Sequence, residues 1–197
     1  MTDVLAEVRA HLRAHFTRAG IGGEPDAAGV TFLGAEPIDV LRFGPDDDGV
    51  VQYVSLGCSR DPMTDPAEIA ADPVRGPRAE VTVALRGPSP AGLARSVAVL
   101  AAAHAVEGLV LAADALVDLG SPLWDGAPFT AFLLGRSEIG DIELPAPHDP
   151  VMVLSATPIT ATEAAWVRLK GAEAMREAWR SDGVDVLDPT RRAAQPN

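Results

Sequence analysis

The sequence predicts an α+β fold: one twisted mixed β-sheet with helices packed on it, in a single compact domain. Three observations carry this. Short β-branched stretches recur, one with clean two-residue alternation, between helical stretches with apolar spacings of three and four. Strands and helices are interspersed without the regular alternation of a doubly wound or barrel plan, and no 20–50-residue period repeats. The chain has 197 residues, 47% hydrophobic and 22% charged, enough to bury about 70% of its unfolded surface without a metal or disulfide staple.

In chain order, Thr2 is read as the cap of a first helix with Asp3 in its first turn, and Val4, Val8, Leu12 and Phe16 form its apolar stripe up to Gly20. The stretch 20–29 reads as a loop. "VTFLG" and "IDVLRF" read as strands split by Glu36-Pro37, and "GPDDDG" as a solvated turn before the strand "VVQYVSLG". A long loop rich in Pro and Asp follows, with one helical turn expected at 67–71. "EVTVALR" alternates Val81, Val83 and Leu85 against Glu80, Thr82, Ala84 and Arg86, the period of a half-buried strand. Ser89 and Pro90 read as cap and first residue of a second helix, with Leu93, Val97, Leu100 and His104 on one stripe and Gly108 as its stop. "APFTAFLLG" and "PVMVLSA" read as buried strands. Thr160 and Glu163 have capping-box spacing, opening a last helix along Ala165, Leu169, Ala172, Met175 and Trp179. Residues 188–197 are polar with nothing to bury, so the domain is drawn as 1–187 and the rest as a flexible C-terminal tail.

The formal charge of −12 repels phosphate backbones and anionic lipid, which argues against nucleic acid or a membrane surface and favours a basic protein as partner. The plainer role of that charge is solubility. Residues 97–117 are greasy but contain His104, Glu107 and Asp114, too costly for a bilayer. They read as a buried helix followed by a second short element. No basic region leads into an apolar one at the start, so no secretory signal is expected. The single cysteine excludes an internal disulfide framework, and the expected compartment is a reducing one, the cytoplasm.

Cys58, in "SLGCSRDP", has the outline of a reactive-thiol turn. A catalytic thiol needs a base or positive field, and none of His11, His15, His104 and His148 sits in a recognisable cysteine-hydrolase motif. Cys58 therefore reads as a small buried hydrophobe. Glu7, His11 and His15 are spaced four apart and could form a metal ladder, but the plain reading is a polar helix face. His104 reads as a core histidine. "GIGG" at 20–23 lacks the preceding strand a phosphate loop needs. No catalytic residue, cofactor or metal ligand is assigned.

Several blocks in order resemble the suppressor-of-fused (SUFU) domain family, over residues 30–180. "VVQYVSLGCSRDPM" is similar to its aromatic strand ending in a Gly-x-Ser turn, and "RAEVTVALRG" to the following Glu-containing strand. "AGLARSVAVLAAAHAV", "SPLWDGAPFTAFLLG" and "VLSATPITATEAAWVRLKGAEAMREAW" resemble its helix, a core strand, and the closing strand and helix. The resemblance implies protein binding without enzymatic activity, and an apolar packing role at the position of Cys58. Animal members grip an extended peptide between two domains. This chain has room for the first alone, with Asp61-Pro62-Met63 where the family carries a peptide-contacting tyrosine. Bacterial single-domain members are inferred to be immunity proteins that neutralise toxins, and the Ala- and Arg-rich composition suits a bacterial source.

The expectation is a non-catalytic domain that occludes a basic partner protein, a toxin in the immunity reading. Function concentrates on loops held by a rigid scaffold, so the contacts are placed after Gly57, at Arg60, Asp61, Met63, Asp65 and Asp72. The other reading of that loop is that it merely closes the sheet edge. Two alternatives stand beside the binding domain: a cysteine-dependent enzyme using Cys58, and a structural subunit whose acidic surface serves solubility. The sequence fixes neither the partner nor the oligomeric state.

Overall fold

A computed structural model describes residues 3–65, 67, 70 and 72–195. The elements are α1 (Val4–Arg18), β1 (Asp26–Phe32), β2 (Ala35–Phe43), β3 (Val50–Leu56), a 3-10 turn (Cys58–Arg60), β4 (Arg78–Arg86), α2 (Leu93–Glu107), β5 (Leu116–Asp118), β6 (Phe129–Arg136), β7 (Val151–Thr160), α3 (Ala161–Lys170) and α4 (Ala172–Asp182). The strands form one open sheet in the order β1-β2-β3-β4-β7-β6-β5. Only β4 and β7 pair in parallel; the other neighbours are antiparallel. The mixed sheet of an α+β domain is the one expected.

One face packs on α2. Val97, Leu100 and Ala101 meet Val40, Tyr53, Val81, Val83 and Phe132 in the largest core. The other face has two covers. α1 sets Val4, Val8, Leu12 and Phe16 against Leu41, Phe43, Val54 and Val153, while α3 and α4 cover Ala131, Leu133 and Ile159. Both faces of β4 are therefore buried over its first six residues. This corrects the half-buried reading: alternation separates polar from apolar side chains, and here the polar set, including Glu80 and Thr82, is enclosed as well.

Local signals held where side chain and backbone cooperate. The α1 stripe is buried, and Ile21 N–H bonds back to Phe16 O (2.8 Å) past Gly20. The cap is Asp3, whose carboxylate accepts from Ala6 N–H; Thr2 lies outside the described residues, as does most of the expected turn at 67–71. The Thr160–Glu163 capping box is present. Ser89 does not cap α2. Its hydroxyl accepts from Tyr53 Oη (2.7 Å) and Arg42 Nε (3.0 Å), and the helix starts after Gly92. The last helix is two helices, broken at Gly171, whose φ of 89° and ψ of 168° suit glycine alone. The break leaves Ala165 and Leu169 exposed, while Met175 and Trp179 are buried. β1 starts at Asp26, four residues before its apolar signal.

The segment read as a tail is drawn onto the body as far as it is described. Arg191 and Ala194 are buried. Arg191 donates both terminal nitrogens to the buried Glu163 carboxylate (2.8 and 3.0 Å), and Ala194 N–H and Trp179 Nε1 donate to the same group (3.0 Å each). The guanidinium also lies over the rings of Phe129 and Trp179. Burial pushes the Glu163 carboxyl up, but Arg191, Thr160, Ala194 and Trp179 together hold it below its ordinary value.

Removing one partner of a buried ion pair strands the other charge. Arg191→Met should cost about 3–5 kcal/mol, read by urea unfolding followed through tryptophan fluorescence. Because the Glu163 carboxyl is depressed when folded, its contribution is full above about 4.5 and is lost as pH falls through the lower folded value. The variant should therefore lose less stability on acidification than the wild type, and an equal loss contradicts the lock.

Candidate functional site

The site is built on the start of β4. Arg78 and Glu80 are adjacent residues on one face of that strand, 2% and 0% exposed. Between the end of β3 and this point the chain makes a 3-10 turn and a long loop. The loop joins two neighbouring central strands, so it does not close a sheet edge; it stands at one end of the sheet.

Glu80 holds the entry to the loop. One carboxylate oxygen accepts from Gly57 N–H (2.9 Å), Ser59 N–H (3.0 Å) and Ser59 Oγ (2.6 Å); the other accepts a short bond from Ser55 Oγ. Ser55 Oγ accepts in turn from Val81 N–H at 2.9 Å. Burial raises the Glu80 carboxyl above its ordinary value, partly offset by these four donors. Gly57 is needed for the approach. Its φ is 146°, and a Cβ there would lie 2.8 Å from Ile38 Cδ1 and 3.0 Å from Pro37 O.

Arg78 holds both ends of the loop. Its guanidinium donates to the carbonyls of Ser59 and Arg60 at the entry (2.7 Å each) and of Val74 near the exit (3.1 Å). Burial lowers its pKa, opposed by Asp61 and Asp149, and a guanidinium remains charged throughout. Met63 N–H to Pro77 O (2.7 Å) and Gly76 N–H to Asp149 Oδ2 (2.7 Å) complete the neck.

The five expected contact residues divide. Asp61, Asp65 and Asp72 are exposed and Arg60 is half-buried. Asp65 and Asp72 cap their own turns, accepting from Ala67 N–H, and from Val74 and Arg75 N–H. The bonds from Arg75 and Val74 hold the Asp72 carboxyl below its ordinary value. Met63 departs from expectation. It is 1% exposed, inside the main core, where its sulfur accepts from Leu111 N–H; packing removes it from any surface contact.

Cys58 and His104 line one small cleft of about 100 Å³, with Glu36, Arg60 and Asp61 at its sides. Linear spacing did not show this meeting, because α2 returns over the 3-10 turn. No hydrogen bond joins sulfur and ring among the described residues. Burial, then the Glu80 charge, push the Cys58 thiol far up, and burial lowers His104. Both shifts oppose the thiolate–imidazolium pair of an armed nucleophile. Among the described residues no three His, Cys, Asp or Glu side chains converge as metal ligands. Glu80 was missed as a site residue because alternation assigned it to an outer face, and Arg78 because it lies just before the alternating stretch.

A raised carboxyl loses its stabilising contribution as pH climbs from its unfolded value, 4.5, through its folded one. The stability of wild type relative to Glu80→Gln should therefore fall as pH rises above that point, measured by urea titration across the range. A difference independent of pH contradicts the assignment. Glu80→Leu, which strands Gly57 and Ser59 N–H groups, should cost about 2–5 kcal/mol below that pH, and the cost should shrink above it as the Glu80 contribution does.

The family model for suppressor of fused protein (SUFU) matches residues 34–192. No curated protein matches the chain by sequence. Among solved structures, a SUFU homologue from Neisseria gonorrhoeae is 20% identical with a TM-score of 0.66, the match covering 98% of this chain and 97% of that one. The Sufu–Fu complex gives 14%, 0.67, 96% and 91% for the same quantities. Drosophila Suppressor of Fused gives 14% and 0.67 over 95% of this chain, which spans half of the fly protein's length. These likenesses place the sheet and its helices in a known fold, and with the family match over four-fifths of the chain, this protein belongs to the suppressor-of-fused family.

Proposed function

We propose that the protein is a non-catalytic binding domain that covers the working site of a basic partner protein, using the loop after Gly57. The observation that carries this is the pinned neck. Two buried ionic side chains hold the loop at entry and exit, while Asp61, Asp65 and Asp72 stay exposed outside it. A loop held at its entry and exit loses less conformational freedom on docking, and its carboxylates raise the encounter rate with a cationic surface. Arg60, half-buried at the base, belongs to the same surface. A solved relative is a Sufu–Fu complex, which supports protein binding as the kind of activity. The cytoplasmic setting and the toxin as partner extend the same reading. They draw on the family match and on the net charge of −12.

The competing enzyme reading needs an accessible thiolate. Iodoacetamide should label Cys58 in the folded protein at neutral pH about a hundredfold more slowly than a free thiol; labelling at the free rate favours the enzyme. For the site itself, the partner is recovered on immobilised protein, identified, and purified. The triple reversal Asp61→Lys, Asp65→Lys, Asp72→Lys should weaken its binding about tenfold or more, mainly through a slower on-rate that flattens with salt. Unchanged affinity moves the contact surface elsewhere.

A further inference from the structure

Among the described residues, nothing pairs with the outer edge of β1. β1 is terminal in the sheet and pairs with β2 alone. Every second residue of such a strand turns its N–H and C=O outward with no partner. Edge strands are ordinarily guarded by shortness, lysine, proline, a bulge or a covering element. β1 has seven residues, Asp26-Ala-Ala-Gly-Val-Thr-Phe32, with no lysine or proline among them. Its first four are exposed, and the register with β2 is regular from Asp26 to Val30, the one irregularity lying between Val30 and Phe32. The opposite edge, β5, has only three residues.

The surroundings of this edge are acidic. Gly29 pairs with Asp39 of β2, and a Cβ at Gly29 would sit 3.2 Å from Asp39 Oδ1, so glycine leaves that carboxylate uncovered. Asp39 has no ion-pair or hydrogen-bonded side-chain partner among the described residues. Asp26 meets Arg42 at 3.5 Å with its own side chain 85% exposed. Glu36 is exposed and shares a cleft with Asp61, which places this end of the β1–β2 hairpin beside the loop described above. Leu33, at the hairpin tip, is fully exposed.

We infer that the outer edge of β1 takes an extended, arginine- or lysine-bearing segment of the partner as an added strand. The backbone ladder would supply affinity, and a cationic side chain crossing Gly29 would reach Asp39. The small side chains Ala27, Ala28 and Gly29 allow close approach. A second copy of this chain is the less suitable occupant, because each copy carries −12 and would bring its own carboxylates to the seam. The inference rests on the basic-partner reading and adds a strand-pairing site to it.

The test uses an N-acetylated, C-amidated heptapeptide of alternating threonine and arginine, and the same peptide with proline at its centre. Amide exchange in the full chain should slow about tenfold at alternate positions of 26–30 with the first peptide, and the proline peptide should bind about tenfold more weakly despite equal charge. Of Ala28→Pro and Gly29→Pro, one removes an inward ladder bond and the other an outward donor. The variant that keeps the wild-type melting temperature should lose the peptide. Equal binding of both peptides, protection at β5 or at 58–77 instead, or no saturable binding overturns the inference. So does a dimer in sedimentation that the folded proline variant dissolves, which makes a second copy the occupant. If the peptide fails here while reversal of Asp61, Asp65 and Asp72 still weakens the partner, the edge site falls and the binding-domain reading stands.

Discussion

A fully buried carboxylate at the start of a central strand is expensive, and Glu80 is tolerable only because four donors converge on it. The convergence is geometric before it is chemical. Ser55 lies next to last in β3, the strand beside β4, Gly57 turns the chain through a φ that only glycine takes freely, and Ser59 returns its N–H and hydroxyl to the carboxylate oxygen that Gly57 N–H also meets. Arg78, two residues away on the same face, gathers the carbonyls that this turn leaves unpaired. The acid satisfies the donors of the turn and the guanidinium its acceptors. The long loop thus leaves and re-enters the sheet through fixed points, and its outer carboxylates are carried on a core-anchored base.

The same device recurs at the far end of the sheet. Glu163 closes α3 onto the end of β7 and collects Arg191, Ala194 and Trp179. In both places one buried acid ties an irregular segment to the sheet, where apolar packing alone would leave backbone groups unpaired. The remaining ion pairs are different in kind. Arg9–Glu24, Arg13–Glu24, Arg86–Asp185 and the Arg176–Glu173–Arg180 cluster lie at the surface and contribute little to stability. Their arginines are partnered locally.

What the sequence made legible follows from how local each signal is. The stripe of α1, the capping box of α3 and the alternation of β4 are each written within about a dozen residues, and each was readable. The mixed sheet followed from their order. The reading failed wherever a distant element decided. Glu80 looked solvent-facing until α1 enclosed its side of the sheet. Ser89 looked like a helix cap, yet its hydroxyl is taken by Tyr53 and Arg42. Gly171 looked like an ordinary residue in a continuing stripe. The segment after 187 looked loose because its anchors, Arg191 and Ala194, find an acid 28 and 31 positions away. Met63 looked like a loop contact but fills the core. In the candidate site, the exposed acids were legible from composition and loop length, while the buried pair that positions them was not.

A clamped loop neck belongs to the folded core rather than to a mobile surface segment. Native-state amide exchange of Gly57 and Ser59 tests this most directly. If Glu80 and Arg78 clamp the turn, these two amides exchange only through the opening that releases Val81 and Val83 of β4, with the same free energy and the same denaturant dependence. If they exchange through a local opening orders of magnitude faster than those neighbours, the neck is not clamped, and the exposed acids of the loop are not carried on a fixed base.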